Sequence, residues 1–362
     1  MNNFTSITSR QFVMGWITKT IAIVIMLTIA DTIKYSGRDT WLAVLVGAVI
    51  AVFSLLIIYR LVSQFPNKNL AQWSREAFGS FLGSVITIIY IILFFSYAVL
   101  ATNQYSQIMT GVFVPEDPRI SYHVILIVPA VYAAVLGVYV IYRLNEILLP
   151  IAALISVAVI GLNYASIDFT NFLPVMEQGV KPVINGGLII GSRFSFVAIM
   201  FVLYPLIIHP KKIITQGFMG LFALVILIQL QVLAIAMFGA QYTSTMQFSF
   251  LEIARNIGVS DALSRLDSFI LTMWITGIFV FVSIFLYGAS VLTMDLLKLK
   301  NYSYFTVFFG FAVVVINLFL KDNVSLIKHF MGLPLAYAVL SVSLLLPLLM
   351  LMFVSVKKGI SS

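Results

Sequence analysis

"GGLIIGSRFSFVAIMFVLYP", residues 186–205, reads as a membrane-spanning helix with an arginine, Arg193, inside it. A charge at the bilayer centre costs about 2.5–3.5 kcal/mol on insertion scales. Such a residue is kept where it meets a ligand, or where it bonds backbone carbonyls and braces the fold. Gly186, Gly187 and Gly191 precede Arg193, and Pro205 follows. Glycines ease local unwinding, which frees backbone groups for a ligand. The stretch therefore predicts a spanning helix interrupted near its middle.

The rest of the chain agrees with a membrane setting. Of its 362 residues only 9% are charged and 61% are hydrophobic, with a mean hydropathy of +1.08. Soluble domains carry about 25% charged residues, so the surplus apolar surface here faces lipid. Ten segments have the roughly 20 apolar residues that a spanning helix needs. They cover about 11–33, 41–63, 82–109, 121–141, 145–165, 184–208, 215–239, 268–294, 303–320 and 333–356. Barrel strands would be shorter and would alternate. The expected fold is an all-α integral membrane protein with ten transmembrane helices. The first apolar run is too long for a signal peptide, and no convincing small-x-small cleavage site follows it, so its retention is expected.

Lys and Arg set the orientation. With the N-terminus in the cytoplasm, the inner segments hold eleven basic residues: Arg10, Arg60, Lys68, Arg75, Arg143, Lys211, Lys212, Lys298, Lys300, Lys357 and Lys358. The outer loops hold eight: Lys34, Arg38, Arg119, Lys181, Arg255, Arg265, Lys321 and Lys328. Both termini are therefore expected in the cytoplasm. The net charge of +8 is spread singly through short loops, without interleaved aromatics, which argues against a nucleic-acid partner. There is no cysteine. His123, His209 and His329 lie far apart and lack metal-ligand spacing. GxSxG, P-loop and HExxH patterns are absent, so no enzyme, metal or cofactor is expected.

Two connecting stretches are long and amphipathic. "QFPNKNLAQWSREAFGS" (64–80) follows segment two, and "QYTSTMQFSFLEIARNIGVSDALSR" (241–265) follows segment seven. Leu70, Trp73 and Ala77, and Phe250, Ile253 and Ile257, recur at helical spacing and predict short surface helices. Each stretch follows the second helix of a five-helix half, and the two fall on opposite membrane faces. This is the pattern of a 5+5 inverted repeat, about 11–165 against 184–356, within a single membrane domain over 1–362.

The two halves begin with the two basic residues that lie inside spans. Lys19, in "MGWITKTIAIVIM", is eight residues from the inner end of segment one, roughly 12 Å deep. Arg193 is nine residues from the outer end of segment six, roughly 14 Å deep from the other face. Inverted-repeat transporters bind substrate at this level. Asp31, Asp267 and Asp295 are all near helix ends, so the centre suits an anion or a ligand carboxylate. The candidate ligand-binding set is Thr18, Lys19, Thr20, Tyr97, Asn103, Ser192, Arg193, Ser195, Phe196, Ser283 and Tyr287. The plainer expectations are that Lys19 snorkels to the inner interface, and that the Phe and Met stripes of segments six and eight face lipid.

Over nearly its whole length the chain resembles the spore germination proteins that form the B subunit of nutrient germinant receptors. "NFLPVMEQGVKPVINGG" (171–187) is similar to that family's entry to the sixth helix. Arg265, Asp267, Ser268, Phe269, Trp274, Tyr287 and Gly288, within "LSRLDSFILTMWITGIFVFVSIFLYGAS" (263–290), resemble its eighth-helix pattern. "HPKK" (209–212) also fits. The resemblance implies a LeuT-like fold of the amino acid–polyamine–organocation superfamily, in the spore inner membrane. It implies nutrient sensing, typically of amino acids, with a membrane A subunit and a lipoprotein C subunit as partners. The family's glycine-rich break is replaced here by "KTIAIVIML" (19–27), and its glutamates are missing from "SYAVLATNQYSQ" (96–107) and "FSFVAIMF" (194–201). The ligand is therefore not carried over. A receptor subunit, a transporter of amino acids or organic anions, and a scaffold with a degenerate pocket all remain open at this level.

Overall fold

The structure, a computed structural model, describes residues 6–24, 28–113, 119–246, 248–255, 266–320 and 332–361. Ile257, Arg265, Lys321, Lys328 and His329, singled out in the sequence, lie outside the described residues, as do the side chains of Asp267, Ser268 and Lys358.

The chain opens with a two-residue strand, β1 (Ile7–Thr8), and then α1 (Ser9–Ile23). Thr8 starts the helix with a capping box: its hydroxyl accepts from the Gln11 N–H, and the Thr8 N–H donates to Gln11 Oε1 at 2.8 Å. Then come α2 (Ile29–Ser36), α3 (Thr40–Val62), α4 (Leu70–Phe78), α5 (Ser80–Ile108), α6 (Arg119–Leu136) and α7 (Val138–Leu162). The second half has α8 (Val180–Phe194), α9 (Met200–Leu203), β2 (Ile207–Ile208), α10 (Ile213–Phe238), α11 (Ala240–Thr245), α12 (Ser249–Arg255) and α13 (Leu266–Leu296). It closes with α14 (Ser303–Leu320), α15 (Leu333–Leu340) and α16 (Leu346–Ser361).

Among the described residues nine helices are long and apolar enough to cross a membrane, and they match expected segments two to ten. The first expected segment, 11–33, is occupied by α1 and α2, two helical pieces on either side of residues 25–27. Leu154 on α7 and Phe308, Phe311 and Phe319 on α14 are exposed, as lipid-facing side chains should be. The sixth span, 180–206, is almost wholly buried. The expectation that its Phe and Met stripe faces lipid is therefore corrected. Phe196, Met200 and Phe201 are core residues because this span runs through the middle of the bundle.

The glycines of that span also serve a different purpose from the one expected. Gly186, Gly187 and Gly191 remain inside α8, which is α-helical up to Phe194. A Cβ on Gly187 would lie 2.4 Å from Val46 Cγ1, and one on Gly191 2.8 Å from Ile50 Cδ1. From the α3 side, a Cβ on Gly47 would lie 2.6 Å from Ile190. The glycines form a seam that lets α3 and α8 pack at backbone distance, the usual use of small residues between membrane helices.

The two amphipathic stretches form short helices, α4 and then α11 and α12, in the places expected. On α4, Leu70, Trp73 and Ala77 are buried, and Trp73 stacks on Phe65 with ring centroids 5.2 Å apart. Arg75 donates to the Asp295 carbonyl at 3.2 Å and to the Leu296 carbonyl, and the Asn69 amide donates to the Asp295 carboxylate. The α4 side chains thus satisfy carbonyls that the end of α13 leaves without helical donors. Phe250 and Ile253 bury α12 in the same way. At the opposite end of the chain, β1 pairs in parallel with β2 and the Ser9 hydroxyl donates to the His209 carbonyl at 2.7 Å. The start of the first span is tied to the end of the sixth.

Candidate functional site

Directly after Arg193 the sixth span changes its winding. α8 gives way to a 3-10 turn over Ser195–Ile199, then to α9 and a second 3-10 turn over Tyr204–Leu206. Such a change breaks the regular i to i−4 ladder and frees carbonyls. The Phe194 carbonyl is taken by the buried Trp16 indole, whose Nε1–H donates at 2.8 Å. The Ala22 carbonyl, near the end of α1, is taken by the Trp274 indole at 2.8 Å. Two indoles from neighbouring helices thus hold the carbonyl at the change of winding in span six and one near the end of α1. Trp16→Phe, which deletes one of these donors, is expected to destabilise the protein by about 1–3 kcal/mol. Thermal unfolding in detergent checks this. Trp41→Phe, at an indole whose N–H bonds nothing, is the control and is expected to change little.

Arg193 is 5% exposed, and its guanidinium lies within electrostatic reach of Tyr97 and Asp31. The Tyr97 hydroxyl is buried and has no hydrogen-bond partner among the described residues. Its ring packs edge-on against Phe196 at 5.0 Å, Phe285 at 4.9 Å and Phe281 at 6.2 Å between centroids. Phe196 and Phe281 close the group at 4.9 Å. Together they form an aromatic box beside a buried cation. Phe281 and Phe285 are 1% and 0% exposed, which corrects the lipid-facing expectation for the Phe stripe of the eighth span.

Lys19 also meets Phe285, with Nζ 5.7 Å from that ring's centroid. The rings of Phe12 and Tyr142 stand at 5.9 and 5.8 Å, and Nζ donates to the Tyr142 hydroxyl at 3.3 Å. The side chain leans toward the helix N-terminus, as helical side chains do. Phe12, two turns back, meets it there. Yet Lys19 is 0% exposed, so it does not snorkel. Three aromatic rings fill the path by which its head would reach the interface.

The remaining candidates divide. The Thr18 hydroxyl is buried without a partner, on a cavity between α1, α7 and α13 that Ala22, Ser156, Trp274 and Gly277 also line. Thr20, Ser192, Ser195 and Ser283 donate to the carbonyls of Trp16, Ile189, Gly191 and Phe279 in their own spans. Asn103 accepts from the Gln107 amide, beside a Ser106–His123 hydrogen bond of 2.8 Å. Tyr287 packs edge-on against Tyr302 at 5.3 Å. Among the described residues no hydrogen bond or ring contact joins Asn103 or Tyr287 to the aromatic box. Trp16, Tyr142, Phe281 and Phe285 are the central residues that the sequence alone does not single out. For Tyr142 the usable signal is a polar pair, Tyr142 and Asn145, one turn apart near the start of α7.

This closed centre, held between spans one, three, six and eight, belongs to a LeuT-like membrane protein of ten spans. The structure of MhsT in complex with L-phenylalanine has the same fold, with a TM-score of 0.68 over 96% of this chain and 88% of that one, at 10% identity. The chain itself belongs to the spore germination protein family, whose model matches residues 6–325. It is 26% identical to spore germination protein YndE of Bacillus subtilis (strain 168) over 77% of this chain and 78% of that protein. It is also 26% identical to spore germination protein KB of the same organism, over 80% and 79%.

Proposed function

We propose that this chain is the B-type subunit of a nutrient germinant receptor, and that it binds a small carboxylate-bearing nutrient between Arg193 and the aromatic box. The observation that carries this is the pairing of a buried arginine with the unpartnered Tyr97 hydroxyl beside the rings of Phe196, Phe281 and Phe285. A guanidinium presents a planar fork that matches a carboxylate. A phenol hydroxyl adds a donor, and the rings accept an apolar side chain. An α-amino acid has these parts, and MhsT, which shares the fold, holds L-phenylalanine. In this proposal the protein sits in the spore inner membrane with both termini in the cytoplasm, and signals through A and C partner subunits. Ligand binding shifts the bundle by its difference in affinity between two arrangements.

The test is a thermal-shift screen of the purified protein against L-amino acids, sugars, nucleosides and small organic anions. A ligand at 100 times its Kd stabilises by about 2.7 kcal/mol, a readable shift. A carboxylate ligand whose effect disappears in Arg193→Gln supports the site. No hit in any class favours a scaffold role. Accumulation of labelled hit by this chain alone in vesicles would favour transport over sensing.

A further inference from the structure

Lys19 presents a separate problem from Arg193. An ammonium group has three donors, and among the described residues only the Tyr142 oxygen accepts from this one, at 3.3 Å. Among the described residues no carboxylate lies within ion-pair distance of it. The three surrounding rings offset part of the cost of burying the charge, but they accept no full hydrogen bond.

A second unsatisfied group lies on the same helix as Tyr142. Asn145 is 0% exposed, and among the described residues neither its Oδ1 nor its Nδ2 has a partner. It sits one turn after Tyr142 on α7, hence on the same helix face. Tyr142 lies across α1 at the level of this face: a Cβ on Gly15 would stand 2.1 Å from its ring, and Gly15 is one turn before Lys19. Where the two helices pack, α1 carries Lys19, and α7 carries Tyr142 and, one turn on, Asn145, all buried.

This set is rich in donors. Tyr142 already accepts from Lys19 and keeps its own proton to donate, and Asn145 keeps both of its N–H groups. The neighbouring carboxylate, Glu146, is already engaged by Gln11 at 3.1 Å and by the exposed Arg143 at 2.9 Å. We propose that Lys19, Tyr142 and Asn145 hold a small inorganic anion, of chloride size and charge. One negative charge neutralises one lysine, and the tight aromatic surround selects a compact ion over a larger oxyanion. The site rests on the crossing of α1 and α7 and does not depend on the nutrient assignment at Arg193.

The experiment uses the purified full chain without nutrient. Melting temperature is followed as sodium chloride replaces sodium gluconate at constant ionic strength. A saturable rise of a few degrees is expected in the wild type and in Lys34→Gln, a surface control. The rise is expected to vanish in Asn145→Leu and in Lys19→Met. Should those variants not fold, equilibrium binding of radiolabelled chloride to the wild type must show a single saturable class of sites. Equal melting in the two salts, or no saturable chloride binding, overturns the site and leaves Lys19 neutral or solvated by a buried water.

Discussion

Gly187→Leu is expected to leave almost no folded protein in the membrane. The position has no room: even a Cβ would lie 2.4 Å from Val46 Cγ1 and 2.6 Å from Val46 Cβ. Val46 cannot move aside, because a β-branched side chain in a helix has one strongly preferred rotamer. Nor can α8 slide along α3. Gly186 meets Ser36 and Ala43, and Gly191 meets Ile50, at 2.8–2.9 Å for their would-be Cβ atoms, so each shift makes another clash. The helices would have to separate. Overpacking by a methylene or two costs about 1–3 kcal/mol, and a leucine adds more, against a total stability of about 5–15 kcal/mol. Losses of that size change cellular abundance by more than several-fold. Detergent extraction and size-exclusion profiles measure this directly. Gly187→Ala is expected to be milder, and to be partly rescued by Val46→Ala, which removes the methyl groups it strikes. Wild-type yield of Gly187→Leu would mean that the seam is not closely packed.

Much of the architecture is legible in the sequence because hydropathy alone separates spans from loops. Lys19 and Arg193 stand out for the same reason, as charges in apolar runs. The short surface helices are legible because Trp73 and Ile253 recur at helical spacing in otherwise polar stretches. What hydropathy cannot separate is core from lipid. Phe285 in the core and Phe308 facing outward are equally apolar, so no polarity contrast marks which face turns inward. Glycine is ambiguous in a related way. It permits unwinding and it permits close packing, and only the partner helix α3 decides for Gly187. The break itself falls one residue after Phe194, where the Trp16 indole waits 178 positions away in the chain. Hydroxyls are the third blind spot. Thr20, Ser192 and Ser283 look like free donors in sequence, but they bond carbonyls of their own helices, a local option that membrane helices often use.

Arg193→Gln is expected to lower nutrient sensitivity roughly 100-fold while leaving the protein at its normal level. Truncating one partner of a buried, hydrogen-bonded charge pair costs about 2–5 kcal/mol of binding, and each 1.4 kcal/mol is tenfold. Glutamine keeps an amide donor at this position and takes a charge out of the interior. Arg193→Lys separates charge from shape. It keeps the cation but lacks the planar fork, so it is expected to recover only part of the lost sensitivity. Tyr97→Phe supplies the third comparison. Its hydroxyl bonds nothing among the described residues, so its removal should cost binding and almost no stability. Dose–response curves of spores carrying each variant, with protein levels matched, read all three. The ordering expected is wild type, then Tyr97→Phe and Arg193→Lys, then Arg193→Gln. An unchanged curve for Arg193→Gln would mean that Arg193 only braces the change of winding after Phe194, and that the nutrient binds elsewhere. The cavity on Thr18, between α1, α7 and α13, would then be the next place to substitute.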